Sequence, residues 1–398
     1  MTVADHYSAF TARSSRIRTP SVLDYLRPNQ GSCDLTLAEG SSFISSQQLS
    51  QLTLDGSDHL TSLKYDNVQG NEMLREALSV RHLAHPDKIL ITNGASEALF
   101  LVLGCIVQRG AKVLVPRPSF PAYEALVEFW GGAVEPYELR ADNGYSMESL
   151  VDRIGCDTSA LIMNSPHNPT GACIVPSVFR AVLNRADEFG CWVLSDEVYD
   201  VFHFDGFRHK SLLQLIEPET GTRHVVIQSF SKRENLPGIR LGYTIAQDPR
   251  LISRMLDIKT HQSMGTSILS QQLALKAMKL EPAISVRLIE VLEKHRNLLA
   301  RAIHGSGVPF VRPRGGFYFM VNDPNVDHDE TILFNHFRDL GVVGLPGSVF
   351  KSPEPSLRLS LLVPTVTIEK ACEFIMNSDW RSYTKTGGNS ENRMVTRR

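Results

Sequence analysis

The chain has 398 residues, a formal net charge of −2 and a hydrophobic content of 42%. This length predicts two or three domains with sizeable cores. The near-neutral charge gives no indication of a nucleic-acid or membrane-surface partner, and no apolar run reaches bilayer length. The six cysteines include no CxxC pair, and no secretory signal is visible. These features predict no metal site and a reducing, cytoplasmic setting.

Short apolar runs alternate with helical patterns through the first two thirds of the chain. Residues 1–34 come before this region and are predicted to form an N-terminal arm. The runs of strand length are "KILITNG", "AKVLVP", "TSALIMN", "CWVLS" and "HVVIQSF", and "ASEALFLVLGCIV" and "SVFRAVLNRADEF" between them have the pattern of helices. Continuously apolar strands alternating with helices predict an α/β fold, with a mostly parallel sheet covered by helices on both faces.

The pattern changes after about residue 250. Long helical patterns, "DPRLISRMLDIK" and "ISVRLIEVLEKHRNLLARAI", are followed by the short strand-like runs "GGFYFMVN", "VVGLPG" and "SLRLSLLV". This predicts a large domain over 35–270 and a smaller α+β domain over 271–380. The N-terminal part of the chain is a candidate to join the smaller domain. The polar, glycine-containing residues 381–398 are predicted to be a disordered tail.

Residues just after the strands are the candidates for a site, because ligands of such sheets bind at the carboxyl ends of the strands. After the first strand, Gly94 permits a tight turn, and the amides of Ala95 and Ser96 begin a helix that could bind an anion. The turn matches neither GxGxxG nor GxxxxGK[ST], so no Rossmann or P-loop nucleotide site is indicated. After the second strand, Phe120 could stack on a flat ring or be a core aromatic.

The next two strands end in polar residues with two possible interpretations. Asn168, in the turn "NSPHNPTG", offers an amide to a ligand oxygen, or forms a structural Asx turn. Asp196 ends a strongly apolar strand, where an unpaired carboxylate would be costly, so it needs a cationic partner or a protonated heterocycle, unless it caps a helix. Tyr199 follows within reach of the same place.

The last strand of the large domain leads into "SFSKRENLPGIRLGY". Ser229 supplies a hydroxyl, Arg240 a fork of donors, and Lys232 an amine that could attack a carbonyl. Together the strand ends offer an anion cradle, a stacking face, oxygen-binding groups, a buried carboxylate and an amine. Pyridoxal 5′-phosphate, a phosphorylated aromatic aldehyde with a ring nitrogen, needs all five.

The motifs at these positions resemble those of the class I/II aminotransferases, which are fold type I pyridoxal-phosphate enzymes. The most specific is "SFSKRENLPGIRLG" at 229–242, which is similar to the family's lysine signature. The others, in the family's order, are "YDNVQGNEMLREAL" at 65–78, "GASEAL" at 94–99, "NPTG" at 168–171, "SDEVY" at 195–199, "RGGFYFM" at 314–320, "LPGSVF" at 345–350 and "LRLS" at 357–360. The resemblance covers roughly residues 35–375.

The resemblance implies a role for each matching residue. Lys232 would bind the cofactor covalently and move the substrate's proton, and Asp196 would pair with the ring nitrogen. Tyr199 and Asn168 would hold the ring's phenolic oxygen, with Phe120 stacked on the ring. The phosphate would be held by Ala95, Ser96, Ser229, Arg240 and, from a neighbouring subunit, Tyr65. Arg358 would bind the substrate's α-carboxylate, with Asn168 and Gly40 as further substrate contacts.

The resemblance also implies the reaction: transfer of an amino group between an α-amino acid and a 2-oxo acid by a ping-pong mechanism, in a homodimer with shared active sites. Amino acid metabolism, especially biosynthesis, is the expected setting. Two alternatives stay open: other pyridoxal-phosphate chemistry on the same scaffold, such as β- or γ-elimination, decarboxylation or cyclisation, and a non-catalytic cofactor-binding regulator. Arg233, Glu234 and Asn235 depart from the small and aromatic residues usual after the lysine. Near the start of the inter-domain helix stands His261 rather than arginine, which disfavours an aspartate-type specificity.

Overall fold

The computed structural model describes residues 35–36, 65–139, 150–216, 222–306, 308, 310–323, 330–339 and 341–377. The helices in these ranges are α1 (Glu72–His82), α2 (Gly94–Ile106), α3 (Ala122–Phe129), α4 (Pro176–Phe189), α5 (Pro249–Gln262), α6 (Ile268–Ser306), α7 (Glu330–Asp339) and α8 (Thr365–Asn377). Short 3₁₀ helices lie at Pro86–Lys88, Val151–Arg153, Leu212–Gln214, Pro237–Ile239 and Gly347–Phe350.

The strands form one large and two small sheets. They are β1 (Leu35–Thr36), β2 (Ile89–Thr92), β3 (Lys112–Arg117), β4 (Ala133–Glu138), β5 (Thr158–Asn164), β6 (Trp192–Asp196), β7 (His224–Ser229), β8 (Gly242–Ala246), β9 (Tyr318–Asn322), β10 (Val342–Val343), β11 (Leu345–Pro346) and β12 (Ser356–Ser360). The seven-stranded sheet has the order β2-β8-β7-β6-β5-β3-β4, in which β8 runs in the opposite direction to the other six strands. β11-β12-β9 form an antiparallel sheet, and β1 pairs with β10 in parallel.

The large sheet is buried on both faces because successive side chains of a strand point to opposite sides. In β3, Val113 and Val115 pack on one face with Leu101 of α2. Leu114 between them packs on the other face with Leu74 of α1. The strands therefore need apolar residues at every position, which explains the continuous apolar runs of the sequence.

A third core joins the small antiparallel sheet to the later helices. Leu292 of α6, Phe319 of β9 and Leu359 of β12 belong to it, together with Phe202 from the segment after β6. This contact seats the small sheet, and with it Arg358 of β12, beside the carboxyl ends of the large sheet. α6 is continuous through Pro282 and crosses residue 270, the predicted domain boundary. The domain limits stay predictions.

The predicted α/β architecture is confirmed: a mostly parallel sheet is covered by helices on both faces, and a small antiparallel sheet lies beside it. The strands and helices predicted from apolar runs lie within three residues of the observed bounds, except that α6 starts sixteen residues before "ISVRLIEV" and that "VVGLPG" contains two strands, β10 and β11. Seven α-helices and strands of the described ranges were not predicted from the sequence: β1, β4, β8, α1, α3, α7 and α8. In the described part of the chain, no helix is long and apolar enough to cross a bilayer.

Candidate active site

A cavity of about 370 Å³ lies at the carboxyl edge of the large sheet, beside β12. Its volume is in the range of small-molecule sites. The residues predicted from the sequence that line it are Ala95, Ser96, Phe120, Asn168, Asp196, Tyr199, Ser229, Lys232, Arg240 and Arg358. Two predicted residues are not among them: Tyr65 lies elsewhere on the surface, and Gly40 lies outside the described residues.

The first turn of α2 forms one end of the cavity. Gly94 has a φ of +78°, which favours glycine, and Asn93 before it makes no side-chain capping bond to the helix. The amides of Ala95 and Ser96 are therefore left at the cavity wall, as an anion site requires. At Gly242 of β8 a Cβ atom would lie 2.6 Å from the nitrogen of Ala95, so only glycine lets β8 approach this turn.

Cation and hydroxyl groups face the same end. Arg240 is exposed and lines the cavity, with its Nη1 donating to the carbonyl of Pro237 at 3.0 Å. Its backbone φ is +52°, a left-handed conformation that costs a non-glycine residue free energy and recurs at functional sites. Ser229 at the end of β7 accepts from the amide of Ser231 at 3.0 Å. The arrangement of helix terminus, guanidinium and hydroxyls suits a phosphate dianion.

Asp196 is buried at the end of β6, with 4% of its surface exposed. Its Oδ2 accepts from the hydroxyl of Tyr123 at 2.6 Å, and its Oδ1 accepts from the amide of Val198 at 3.2 Å. Burial raises the pKa of Asp196 to about 6, against the opposing effect of the Tyr123 hydrogen bond. No helix begins here, so the capping interpretation of Asp196 is wrong. A buried carboxylate of this kind favours a cationic ligand group beside it.

Asn168 links the turn after β5 to the small sheet. Its backbone amide donates to Oδ1 of Asn164 at 2.8 Å, and its side-chain Oδ1 accepts from Nη1 of Arg358 at 2.9 Å. The side chain of Asn168 thus reaches across to β12 instead of closing an Asx turn. The Nδ2 of Asn164 donates to the carbonyl of Asp196 at 2.9 Å, which joins β5 to β6 at this edge.

Arg358 occupies the central strand of the small sheet, paired with both β11 and β9. Its guanidinium carbon lies 3.8 Å from the ring centre of Tyr318 and 4.6 Å from that of Phe350. The two rings hold the guanidinium by cation–π attraction while its donors point toward the cavity. The alternative of a surface arginine on an edge strand is wrong, because Arg358 is only 5% exposed.

Lys232 lies in the turn that follows β7. Its Nζ is 5.7 Å from the ring centres of Tyr199 and Phe317, and it lines the cavity between Asp196 and Arg358. Burial, and then the neighbouring hydroxyl of Tyr318, raise the pKa of Tyr199 well above its usual value, so this phenol stays a hydrogen-bond donor. The amine and the phenol both belong to residues that line the cavity.

Three cavity residues with polar groups were not singled out from the sequence: Tyr123, Asn164 and Tyr318. Asn164 was recognisable in principle, since it ends a strand at the same edge as Asp196. Tyr123 is on α3, which was not predicted, and stacks edge-on against Phe120 with ring centres 5.6 Å apart. The position of Tyr318 in the cavity depends on how the small sheet packs against the large sheet, which the sequence alone does not predict.

The residues present fit pyridoxal 5′-phosphate. A buried acid whose pKa is raised by burial suits a protonated ring nitrogen, and the open helix terminus beside Arg240 suits a phosphate. The amine of Lys232 in the same cavity suits an aldehyde. Among the described residues, no group of three or more His, Cys, Asp and Glu side chains is arranged to hold a metal ion.

The raised pKa of Asp196 predicts a pH-dependent change in stability. The carboxyl has an ordinary pKa of 3.8 and a folded pKa of about 6, so its contribution to stability is present below pH 4 and is lost as pH rises through 6. In the cofactor-free protein, Asp196→Asn should therefore raise the free energy of unfolding by about 3 kcal/mol at pH 8 and by about half of that at pH 5.

Urea unfolding of the cofactor-free variants at both pH values measures this effect. Asp248→Asn is the opposite control, because its Arg250 hydrogen bond lowers the pKa of Asp248 and its loss should destabilise the protein at pH 8. If Asp196→Asn gains no stability at pH 8, the buried carboxylate is already matched by groups of the protein itself.

Tyr65 lies away from the cavity and is 85% exposed. It borders a second, open cavity of about 820 Å³, together with Asp66 and residues 263–269. The side chains exposed there include Met264 and Leu269, at 54% and 41%. A single chain therefore does not bring Tyr65 to Lys232.

Comparisons with known proteins agree with the resemblance in the sequence. Residues 41–375 match the family model described as "Aminotransferase class I and II". The aspartate aminotransferase of Thermotoga maritima is 28% identical over 302 residues, covering 73% of this chain and 77% of that protein. The arginine–pyruvate transaminase of Pseudomonas aeruginosa is 27% identical, covering 78% and 81%. The structure of Thermus thermophilus aspartate aminotransferase with maleate has a TM-score of 0.82 at 24% identity, covering 92% of this chain and 99% of that chain.

Proposed function

Because this chain belongs to the class I and II aminotransferase family and is an enzyme of that type, we propose that it uses pyridoxal 5′-phosphate to move an amino group between an α-amino acid and a 2-oxo acid. The observation that carries the proposal is the set of side chains that line one cavity. It combines the Lys232 amine, the buried Asp196 carboxylate, the open terminus of α2 and the Arg358 guanidinium.

When bound, the cofactor supplies an aldehyde that condenses with amines and a protonated ring that accepts the electrons of a broken Cα–H bond. Lys232 would hold the cofactor's aldehyde through its Nζ, and the same amine, when free, would take up and return the substrate's proton. Asp196 keeps its negative charge beside the ring nitrogen and so keeps that nitrogen protonated.

The remaining residues orient the ligands. Ala95, Ser96, Ser229 and Arg240 hold the phosphate, and Phe120 packs on the ring face. Tyr199 and Asn168 donate to the phenolic oxygen of the ring. These contacts would fix the position of the bound ring, and a fixed geometry at a reacting group contributes much of the rate.

Arg358 binds the α-carboxylate with two parallel donors. Asn168 already accepts from this guanidinium at 2.9 Å, which sets its tilt toward the cavity. Relatives at 27–28% identity are named for aspartate, arginine or aromatic amino acids. The proposed substrate class is therefore an α-amino acid read by its carboxylate, with no side-chain preference assigned.

The proposed function is tested by locating the cofactor. After reconstitution with pyridoxal 5′-phosphate, borohydride reduction and peptide mass mapping should find the pyridoxyl group on Lys232. Adding an α-amino acid before reduction should protect Lys232 and release the matching 2-oxo acid in a single turnover. Labelling of another lysine contradicts the assignment of Lys232. Release of carbon dioxide or of an eliminated side-chain fragment would indicate one of the alternative chemistries.

We also propose that the active enzyme is a homodimer in which Tyr65 serves the partner's site. Support comes from the exposure of Tyr65 at the rim of the second cavity, remote from its own Lys232. A two-fold dimer pairs the same surface of both copies, so each site would receive one Tyr65 from the other chain.

Hybrid dimers test the shared site. Lys232→Ala and Tyr65→Ala chains should each be poorly active alone. Mixing them by mild unfolding and refolding should restore activity at about a quarter of the sites, since half of the dimers are hybrids with one intact site each. A sedimenting monomer that turns over, or a mixture no more active than its parts, contradicts the shared site. Tyr65→Phe tests whether the hydroxyl is the group required.

A further inference from the structure

Three residues of the proposed site are each followed by a charged residue that points away from the cavity. Glu197 follows Asp196, Asp200 follows Tyr199, and Arg233 follows Lys232. None of the three followers lines the cavity. Arg233 and Asp200 meet behind it, with Nη1 of Arg233 3.1 Å from Oδ2 of Asp200. The residues after Lys232 and after Tyr199 are thus joined directly.

Arg233 makes a second ion pair with α6. Its Nε lies 3.2 Å from Oε1 of Glu281, and the same carboxylate accepts from the hydroxyl of Ser285 at 2.6 Å. The side chains of Arg233, Asp200 and Glu281 are 18%, 13% and 10% exposed, so the three charges lie largely out of water. Two separate donors of one guanidinium therefore fix Arg233 between the segment after β6 and the long helix.

The next residue, Glu234, extends the cluster to α1. Its Oε1 lies 2.6 Å from Nη1 of Arg81, and Nη2 of Arg81 lies 3.9 Å from Oε2 of Glu281. Glu234 is 1% exposed. The charge cluster of Arg81, Asp200, Arg233, Glu234 and Glu281 thus ties both residues after Lys232 to other elements of the fold.

The turn that carries Lys232 has little support from regular structure. It belongs to no helix or strand, and its backbone bonds run from Asn235 to Lys232 at 3.0 Å and from Leu236 to Phe230 at 3.1 Å. The ion pairs of the charge cluster supply fixed contacts that the backbone of this turn lacks. Buried ion pairs are poor sources of net stability, because desolvation of the charges offsets their attraction. They do restrict the geometry of a side chain that is held by two partners, as Arg233 is by Asp200 and Glu281.

We propose that Arg233, through Asp200 and Glu281, is a positioning residue that sets where Lys232 stands relative to Tyr199. This inference rests on the proposed function. Arg233 touches no ligand; it acts through the turn of Lys232 and the segment of Tyr199. A displacement of about 1 Å at a reacting group lowers turnover by up to ~10²-fold, so a loosened turn should lower kcat more than it raises KM.

Arg233→Lys tests the proposal, since lysine keeps the charge but cannot hold Asp200 and Glu281 with separate donors of a planar fork. The matched control is Arg296→Lys. Arg296 is another buried arginine, which lies 2.7 and 2.8 Å from the two carboxylate oxygens of Asp205 and does not line the cavity. Both variants lose a two-point contact of a buried arginine, but only Arg233 is adjacent to Lys232 in the chain.

The readouts are kcat, KM, melting temperature and the visible circular dichroism of the bound cofactor, which reports how rigidly the Lys232 chromophore is held. Arg233→Lys should lose at least ~10-fold in kcat with KM within about threefold, and should lose at least half of the visible dichroism per bound cofactor. Arg296→Lys should keep both within about twofold at a comparable drop in melting temperature.

If Arg233→Lys behaves like Arg296→Lys, the proposal is overturned. Should Arg233→Lys fail to fold, Asp200→Asn is measured in the same way, with the same expected losses. If neither folds while Arg296→Lys does, the cluster is structural and the positioning role is rejected. Failure of the proposed function gives a different result from failure of the positioning role. In the first case the unmodified protein itself carries no cofactor on Lys232, whereas in the second it carries the cofactor and Arg233→Lys behaves like Arg296→Lys.

Discussion

Replacing Lys232 with alanine should reduce transamination by at least ~10⁴-fold. One amine carries two tasks in the proposed mechanism, holding the cofactor and moving the α-proton. A positioned acid–base group alone contributes about 10²–10⁴-fold, and the loss of covalent attachment comes in addition. Among the described residues, Nζ of Lys232 has no ion pair or hydrogen bond, so the substitution breaks no such contact.

Single-turnover absorbance measurements with one α-amino acid give the rate of the half-reaction directly. Lys210→Ala, which removes an exposed lysine of the same domain, should be unaffected. Lys232→Arg keeps a positive charge but has no amine able to attack a carbonyl, and should be as inactive as the alanine variant. Small primary amines added to Lys232→Ala should restore part of the proton transfer. Activity within ~10²-fold of the parent would show that another group moves the proton.

The residues of the cavity could be predicted from the sequence to the extent that they end buried parallel strands. Continuous apolar runs mark such strands, and their carboxyl ends meet at one edge whatever the order of the strands. Asn168, Asp196 and Lys232 were found in this way before any strand order was known. To predict that these three residues lie close together, only the common direction of the strands was needed. The alternation of strands and helices along the chain indicates that direction.

Other parts of the site depend on packing between distant segments. Tyr123 reaches Asp196 across 73 positions of the chain, and neither residue predicts the other. The sequence "GYTIA" of β8 is as apolar as its neighbours, so its antiparallel direction depends on the short connection from β7. The ion pair between Arg81 and Glu234 spans 153 positions, and such charges are exposed far more often than buried.

Replacing Arg358 with leucine should lower kcat/KM for an α-amino acid by ~10² or more. Two parallel, charge-assisted hydrogen bonds to a carboxylate are worth about 1.5–3 kcal/mol each, and each ~1.4 kcal/mol is a factor of ten. Leucine has no atoms at the position of the guanidinium carbon over the rings of Tyr318 and Phe350, so the cation–π contacts are lost together with the carboxylate contact. Arg358→Lys should recover only part of the activity, because an ammonium lacks the fork.

The measurement that isolates the carboxylate compares an amino acid with its decarboxylated amine. With the parent enzyme the amine should be the far poorer substrate, and Arg358→Leu should narrow the gap by losing activity toward the amino acid alone. Cofactor binding should stay within about threefold, since the contact is to substrate. The substitution also removes the donor to Oδ1 of Asn168, which lies 2.9 Å from Nη1. Asn168→Ala is therefore the paired comparison: it removes the acceptor but keeps the guanidinium, and cofactor binding is measured for both variants because Asn168 is also proposed to hold the ring oxygen. An equal loss toward amine and amino acid in Arg358→Leu would mean that Arg358 supports the junction of β12 with the turn after β5, and that the carboxylate is bound elsewhere.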